Sequence, residues 1–314
     1  MPRTVTVGLD GTPESRAAAE WAAREAKLRG LPLKVVHVWE PVPAPMAQAP
    51  LLGAETQQHW SERGEMGVPP AEGWGRAPSE EADGIRMRHP GVEVVMEQVS
   101  GRPAEALADA AKDAELLVLG SRGLSGVGGF VVGSVSLAVV AHAERPVVLV
   151  RAEEQAADEH TMDPAGIPSA SAPFRPVVLG LDAADPDDTV IGFAFESALL
   201  RGTSLRVVHG SNEPPCIAYG MPPDLEMNAH IAAEQAAAVS EALRPWRQKF
   251  PVVDVVEDSL SGKAANHLVD ASREASLVVV GRRIRRSPLG AHIGPVTHAV
   301  LHHAAAPVAV VPHD

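Results

Sequence analysis

The sequence predicts an α/β protein made of two tandem, doubly wound domains, each a five-stranded parallel sheet with helices on both faces. Two observations carry this prediction. Short apolar runs alternate with amphipathic segments of helical period, which is typical of a parallel sheet covered on both sides. The same order of segments then occurs a second time along the chain, so one architecture is expected twice.

The repeat is visible in short matched segments. Residues 7–10 (Val-Gly-Leu-Asp) return at 179–182 (Leu-Gly-Leu-Asp), a shift of 172 residues. Residues 146–150 (Pro-Val-Val-Leu-Val) return at 307–311 (Pro-Val-Ala-Val-Val), a shift of 161 residues. Because the shift falls along the chain, the first copy carries extra residues after its second strand.

The two copies and the segment between them give the expected domain boundaries. A first domain is expected at 1–151 and a second at 174–314. The linker at 152–173 is rich in Ala, Pro, Ser and acidic residues and lacks an apolar period, which is typical of a connecting segment.

The first copy begins and ends on apolar runs. Its strands are expected near 3–9, 33–39, 92–99, 115–120 and 146–150. Its helices are expected near 14–29, 103–113 and 133–143. Residues 41–90 are interrupted by repeated Pro and Gly, so we expect a long irregular excursion in which any helix is short. This excursion is either a surface loop or a lid over a ligand.

The second copy follows the same order with a longer second helix. Its strands are expected near 176–182, 204–209, 252–257, 276–281 and 307–311. Its helices are expected near 187–201, 224–249, 263–274 and 295–304, and residues 224–249 are rich in Ala and Glu.

Composition narrows the function classes. The 314 residues include 27 basic and 40 acidic side chains, a formal charge of −13, which argues against nonspecific binding to nucleic acid or anionic membranes. Cys216 is the single cysteine, so no intramolecular disulfide forms and a reducing compartment is expected. The N-terminus enters a strand pattern without an apolar signal region, and no apolar run approaches the ~18 residues that span a bilayer. We expect a cytoplasmic protein.

A glycine-rich loop follows the fourth strand of the first copy. Gly120 and Gly123 stand just after this strand, and nine residues separate Gly123 from Gly133, where Gly133-Ser134 opens the next helix. In open α/β sheets, ligands bind beyond the carboxyl ends of the strands, where the strand order reverses. The loop is therefore a candidate ligand site.

The residue types in this loop suit an anion. Glycines let the backbone approach a ligand closely, and free N–H groups at a helix start attract phosphate. The hydroxyls of Ser134 and Ser136 can donate to phosphate oxygens, and Arg122 can add positive charge. The alternative is that the glycines serve a tight strand-to-helix connection.

The spacing G-x2-G-x9-G-[ST], the Asp that closes the first strand and the two tandem copies resemble tandem-domain universal stress proteins of the universal stress protein A family. The resemblance covers both domains outside the linker and residues 41–90. It implies an adenine nucleotide alpha-hydrolase-like fold and ATP, with or without Mg²⁺, as the cofactor; ADP and cyclic AMP are left open. Adenine and ribose are placed by the resemblance near Gly8, Asp10 and Val38. It places the phosphates on Gly120, Gly123, Gly133, Ser134, Val135 and Ser136.

The second copy departs from this motif. Ile284 replaces Gly123, and Pro295 replaces Ser134, which removes a hydroxyl and an N–H together. We therefore predict stronger ATP binding in the first copy than in the second. Four arginines occupy the second loop, and they either hold a different anion or form a solvated surface or an interdomain contact: Arg282, Arg283, Arg285 and Arg286.

Other polar residues give weaker signals. Asp10 and Asp182 each end a first strand and either bind a ligand or cap the following turn. His37 and His209 lie inside apolar strands, where hydrogen-bonded sheet histidines are expected. His298 and His302 are four residues apart, a spacing that can share a metal, but no third ligand presents itself and we expect no metal site.

The predicted function is that of a cytoplasmic, ATP-binding regulatory protein of the stress response. No P-loop, dinucleotide fingerprint, nucleophile elbow or HExxH run occurs, so no catalytic residue is assigned and no enzyme is expected. A nucleotide-free interaction protein of the same fold and a slow ATP hydrolase are the alternatives. The expected partner is an adenine nucleotide. The resemblance also implies that the last strands of the two copies, residues 146–150 and 307–311, meet in an intramolecular pseudo-dimer; a homodimer is left open.

Overall fold

The computed structural model describes residues 3–40, 78–121, 132–163, 165–167, 169–211, 225–284 and 293–314. Within them the chain forms two similar α/β halves.

The first half contains five strands and four helices among its described residues. The strands are β1 (Thr4–Gly8), β2 (Leu33–Trp39), β3 (Val94–Ser100), β4 (Ala114–Ser121) and β5 (Val147–Arg151). The helices are α1 (Pro13–Arg29), α2 (Pro78–Arg88), α3 (Pro103–Ala111) and α4 (Ser134–His142).

The second half repeats this order. Its strands are β6 (Val177–Gly180), β7 (Leu205–Ser211), β8 (Val255–Ser261), β9 (Leu277–Arg283) and β10 (Val308–His313). Its helices are α5 (Asp188–Arg201), α6 (Leu225–Lys249), α7 (Ala264–Ala271) and α8 (Pro295–His303). The predicted fold class is confirmed.

The ten strands of the described residues belong to one sheet, in the order β3-β2-β1-β4-β5-β10-β9-β6-β7-β8. Neighbours within each half are parallel, whereas β5 and β10 pair antiparallel, with Ala309 opposite Val148. The predicted meeting of residues 146–150 and 307–311 is confirmed. Because this central pair is antiparallel, the carboxyl ends of the strands in one half face the opposite way to those in the other.

Helices cover both faces of the sheet. One apolar cluster lies between the sheet and helices α1, α2, α5 and α6, and it includes Trp21, Ile85, Phe195 and Leu243. The second cluster lies under α3, α4, α7 and α8. Each cluster draws residues from both halves, so the two halves share their hydrophobic cores.

The excursion after β2 contains one short helix in its described part, α2, which packs Ile85 into the core. The short helix agrees with the expectation for the described residues 78–90; the rest of the predicted excursion, residues 41–77, lies outside the described part. None of the helices in the described part of the chain combines the length and apolarity needed to cross a bilayer.

Candidate functional site

The carboxyl ends of β1 and β4 form the reversal point of the first half. These strands are parallel neighbours, and the chain leaves β1 toward β2 on one side and β4 toward β5 on the other. The ring of His37, in β2, donates from Nδ1 to the carbonyl oxygen of Leu9 at 2.8 Å. This bond ties the end of β2 to the end of β1, beside Asp10. His209 makes the same bond to Leu181 at 3.0 Å, so both histidines are hydrogen-bonded within the sheet, as predicted.

Asp10 is held by the start of the following helix. Its Oδ1 accepts hydrogen bonds from the backbone N–H of Thr12 at 3.0 Å and from the Thr12 hydroxyl at 2.6 Å. Thr12 is the N-cap of α1 and accepts from the N–H of Ser15. Partial burial would raise the pKa of the Asp10 carboxyl, but the hydrogen bonds from Thr12 outweigh it and hold the pKa below its usual value. The capping interpretation is thus confirmed, and a ligand role stays a prediction.

Helix α4 begins without a side-chain cap. Its N-cap is Gly133, in an extended conformation (φ −61°, ψ 147°), and glycine has no side chain to accept a hydrogen bond from the first turn. Ser134 is exposed, and Val135 is 37% exposed. The first N–H groups of any helix lack partners inside the helix, so this turn presents donors to the carboxyl edge of the sheet.

Ser136 serves the fold in this structure. Its side chain is buried, and its hydroxyl donates to the carbonyl oxygen of Gly120 at 3.0 Å, joining α4 to the end of β4. In the second half Thr297 makes the equivalent bond to Gly281 at 2.8 Å. Since the bond persists where the motif is lost, we interpret Ser136 as a positioning residue; contact with phosphate stays a prediction.

Two of the predicted glycines also lie in close packing contacts. A Cβ on Gly120 would lie 2.6–2.8 Å from backbone atoms of Glu14 and Ser15 in α1. A Cβ on Gly8 would lie 2.7 Å from a methyl group of Leu119. For Gly120, the alternative that the glycine serves a tight strand-to-helix connection therefore has structural support, whereas the leucine side chains that face Gly8 can rotate.

Of the remaining predicted site residues, only Val38 lies within the described part of the chain. Val38 is half-buried near the end of β2 and packs against the second apolar cluster. Arg122 and Gly123 lie outside the described residues. The structure thus brings together Gly8, Asp10, Val38, Gly120 and the start of α4 at one edge.

The second half has a pocket of about 800 Å³ at its corresponding edge. That size accommodates a small ligand, but the lining differs from the predicted phosphate site. Pro295 begins α8 in place of Ser134, after Gly294 in nearly the same conformation as Gly133 (φ −61°, ψ 155°). Three carboxylates line the pocket: Asp182, Asp185 and Asp187. They would repel phosphate, although Lys263 and Arg283 also line the pocket.

The arginines of the second loop have separate partners. Arg283 forms an ion pair with Asp185. Arg282 is 5% exposed and donates to the carbonyl oxygen of Ala143 in the first half, so for this residue the interdomain interpretation is confirmed. Arg285 and Arg286 lie outside the described part of the chain.

Two histidine rings of α8 lie in contact, tilted relative to each other. The rings of His298 and His302 lie with their centroids 4.5 Å apart. Burial and the nearby His302 lower the pKa of His298. In the described ranges, no group of three His, Cys, Asp or Glu side chains could hold a metal ion.

Sequence reasoning missed the partners that hold the site. Thr12 and Ser15 buttress Asp10, and the Thr-Pro dipeptide after an Asp was an available signal of a helix start. The contact from Arg282 to Ala143 had no such signal, because the two residues lie 139 positions apart.

Comparison with known proteins agrees with this architecture. The model of the universal stress protein family matches residues 1–151 and 173–312. Universal stress protein Rv2005c of Mycobacterium tuberculosis is 32% identical over 314 residues, covering 98% of this chain and 96% of the relative. A universal stress protein of Mycolicibacterium smegmatis is 30% identical, with the same coverage. The crystal structure of a universal stress protein from Archaeoglobus fulgidus DSM 4304 has a TM-score of 0.63 at 17% identity and covers 99% of this chain and 98% of its own. The chain therefore belongs to the universal stress protein family, as a member with two tandem copies of the fold.

Proposed function

We propose that the first half binds ATP at the β1/β4 edge and that this binding regulates the protein as a cytoplasmic, nucleotide-dependent component of the stress response. One observation carries the proposal: the complete glycine motif runs directly into the uncapped start of α4. Family membership supports it, because the resemblance that named the family also implies an adenine nucleotide at this loop.

The donor set at this edge suits a polyphosphate. The exposed hydroxyl of Ser134 and the first N–H groups of α4, including that of Val135, can donate to phosphate oxygens. ATP carries the matching acceptors, and the negative charge of its phosphates is favoured at a helix N-terminus. We include Gly123 and Arg122 in the proposed site because they belong to the glycine motif.

Asp10 suits a different part of the nucleotide. Its lowered pKa keeps the carboxylate ionised at neutral pH, and an ionised carboxylate accepts hydrogen bonds without donating any. It would repel phosphate but accept from the hydroxyls of ribose. Val38 is half-buried nearby and can contact the base. The edge thus has a carboxylate at Asp10 for the ribose and hydrogen-bond donors at the start of α4 for the phosphates.

Both ends are needed for useful affinity. A helix N-terminus contributes about 0.3–1 kcal/mol to anion binding, whereas a micromolar Kd corresponds to about −8 kcal/mol. Phosphate contacts alone therefore fall short, and we expect inorganic phosphate to bind far more weakly than ATP.

The experiment introduces into the first half a residue that the second half carries at the equivalent position. Ser134→Pro copies Pro295 into the first half; proline is favoured at the first position of a helix, and Gly133 already has the extended conformation it needs. The substitution removes one N–H and one hydroxyl without disturbing α4. Titration calorimetry with ATP, with and without Mg²⁺, should show one site in the wild type and about tenfold or greater weakening in Ser134→Pro.

Three controls complete the experiment. Ser134→Ala removes the hydroxyl and keeps the N–H, so its loss should be smaller. Pro295→Ser alters the second half and should leave the first site unchanged. Binding of ATP to neither half would contradict the proposal and favour an interaction protein, two equal sites would contradict the asymmetry, and rapid ATP turnover would favour a hydrolase.

A further inference from the structure

Arg282 is a buried cation that crosses between the two halves. It lies in β9, at the edge where the second copy has lost its motif, and it is 5% exposed. Its Nη2 donates to the carbonyl oxygen of Ala143. Ala143 is the C-cap of α4, the helix whose first turn is the proposed phosphate site.

The surroundings of this guanidinium are unusual. Among the ion pairs of the described residues, none includes Arg282, and burial lowers its pKa. A buried charge is costly without compensation. The C-terminal end of a helix carries a partial negative charge, and this end of α4 is where the guanidinium lies.

The repeat makes the contact asymmetric. Ser121 stands in the first half where Arg282 stands in the second, and its hydroxyl donates to Val150 within its own half at 3.2 Å. The second loop has therefore lost its phosphate-binding residues and gained a side chain that reaches the helix of the intact loop.

Helix α4 is short and is held near both ends. Nine residues span about 13 Å. Near its start, the Ser136 hydroxyl donates to Gly120, and beyond its end Ala143 accepts from Arg282. Val139 and Val140, between these two points, are buried in the core. A shift at the end of such a rod moves its first turn as well.

We propose that Arg282 is a positioning residue for the nucleotide site of the first half: by holding the C-terminal end of α4, the second half sets where the first turn of that helix meets phosphate. This inference rests on the proposed function. In this proposal the second half does not bind a nucleotide of its own with similar affinity. It supports ATP binding in the first half through Arg282.

The test compares two ligands on matched variants. Arg282→Met removes the charge and the hydrogen bond but keeps an apolar stem, and Arg283→Met is the control, because Arg283 is adjacent, half-exposed and paired with Asp185. ATP affinity is measured by calorimetry and adenosine affinity by NMR titration. We expect Arg282→Met to weaken ATP about 3- to 30-fold with adenosine unchanged, and Arg283→Met to match the wild type.

The comparison with adenosine separates positioning from general damage, since adenosine has no phosphate to meet α4. Equal ATP affinity in Arg282→Met and wild type would overturn the inference, as would a parallel loss of ATP and adenosine. Arg282→Lys, which keeps the charge, should recover part of the ATP affinity. If Arg282→Met does not fold, Arg282→Gln is tested with the same expectation. Failure of the wild type to bind ATP would instead overturn the proposed function.

Discussion

Gly120 lies where the packing of α1 on β4 leaves no room for a side chain. The sequence motif predicts that its backbone approaches a phosphate, and the structure shows that its Cα already faces the backbone of α1. A Cβ would lie 2.6 Å from the Glu14 carbonyl carbon, and backbone of a packed helix cannot turn away as a side chain can. Packing alone therefore demands glycine at this position.

Gly120→Ala should destabilise the protein by about 1–3 kcal/mol through overpacking between β4 and α1. Gly8→Ala is the matched control: its new Cβ meets the Leu119 and Leu107 side chains, which can rotate, so its cost should be smaller. Urea unfolding followed by circular dichroism measures both. Equal losses in the two variants would contradict the distinction between backbone and side-chain contacts.

For the helices and strands, the periodicity of apolar residues carried most of the prediction. The expected helices near 14–29 and 224–249 occur as Pro13–Arg29 and Leu225–Lys249. Their apolar faces and helix-start residues are local, so one segment of sequence suffices to predict them. The candidate edge could be predicted for the same reason, since parallel strands place their carboxyl ends together.

What could not be predicted depends on residues far apart in sequence. Ser136 was predicted to contact phosphate, but in the structure its hydroxyl donates to the carbonyl oxygen of Gly120. Arg282 was one of four arginines without an assigned partner, and in the structure it donates to the carbonyl oxygen of Ala143. Neither contact follows from a period or a motif. The spacing of residues indicates which polar groups lie at the same edge of the sheet. The packing of helices on the sheet decides which hydrogen-bond partner each of these groups has.

The connecting segment between the halves is packed, although its composition predicts a linker. A short 3-10 turn at Ala156–Glu159 begins with a capping box at Gln155. Glu159 is buried and accepts from Arg24 Nε of α1 at 3.0 Å. At least one of the acidic residues of the predicted linker, Glu159, is therefore enclosed by the fold.

Glu154 should make stability depend on pH. Burial, together with the nearby charges of Glu159 and Asp158, raises its pKa to about 8, against the opposing effect of Arg24 and Arg151. Because the folded state holds this proton more tightly than the unfolded state, the stabilisation is full below the ordinary pKa of 4.5 and is lost as the pH rises through 8.

Glu154→Gln keeps the shape of the side chain without its charge. It should be more stable than the wild type at pH 9 by about 1–3 kcal/mol, with a smaller difference at pH 6. Urea unfolding at both pH values measures the difference, and the exposed neighbour Glu153 supplies the control, Glu153→Gln. A difference between Glu154→Gln and wild type that does not change with pH would contradict the assignment.

At the scale of the whole molecule, the halves are joined by more than the β5–β10 pair. Glu25 of α1 is buried and accepts from Arg29 Nε at 2.7 Å and from Arg201 Nη2 of α5 at 2.7 Å. Burial would raise the pKa of Glu25, but Arg201 and Arg29 outweigh it and hold the pKa below its usual value. The carboxylate therefore stays charged between two guanidinium groups, one from each half.

Removing the arginine of the second half should weaken the whole molecule. Arg201→Met leaves Glu25 with Arg29 alone, and breaking a buried ion pair costs about 3–5 kcal/mol. The loss should narrow as the pH falls below 4.5 and through the lowered pKa of Glu25, because protonation removes the charge that Arg201 balances. Arg244→Met, which breaks an exposed pair with Glu241, should cost less than about 1 kcal/mol.

Urea unfolding of the wild type and of the Arg201 variants tests whether the two halves unfold together. The shared sheet and cores predict one cooperative urea transition for the wild type, reported alike by circular dichroism and tryptophan fluorescence. The double variant Glu25→Gln/Arg201→Met should lose less than Arg201→Met and Glu25→Gln summed, because no uncompensated carboxylate remains. Two separate wild-type transitions would show that the shared sheet, the shared cores and the Glu25–Arg201 pair do not couple the halves, and any effect of Arg282 on the proposed nucleotide site would then have to pass through α4 alone.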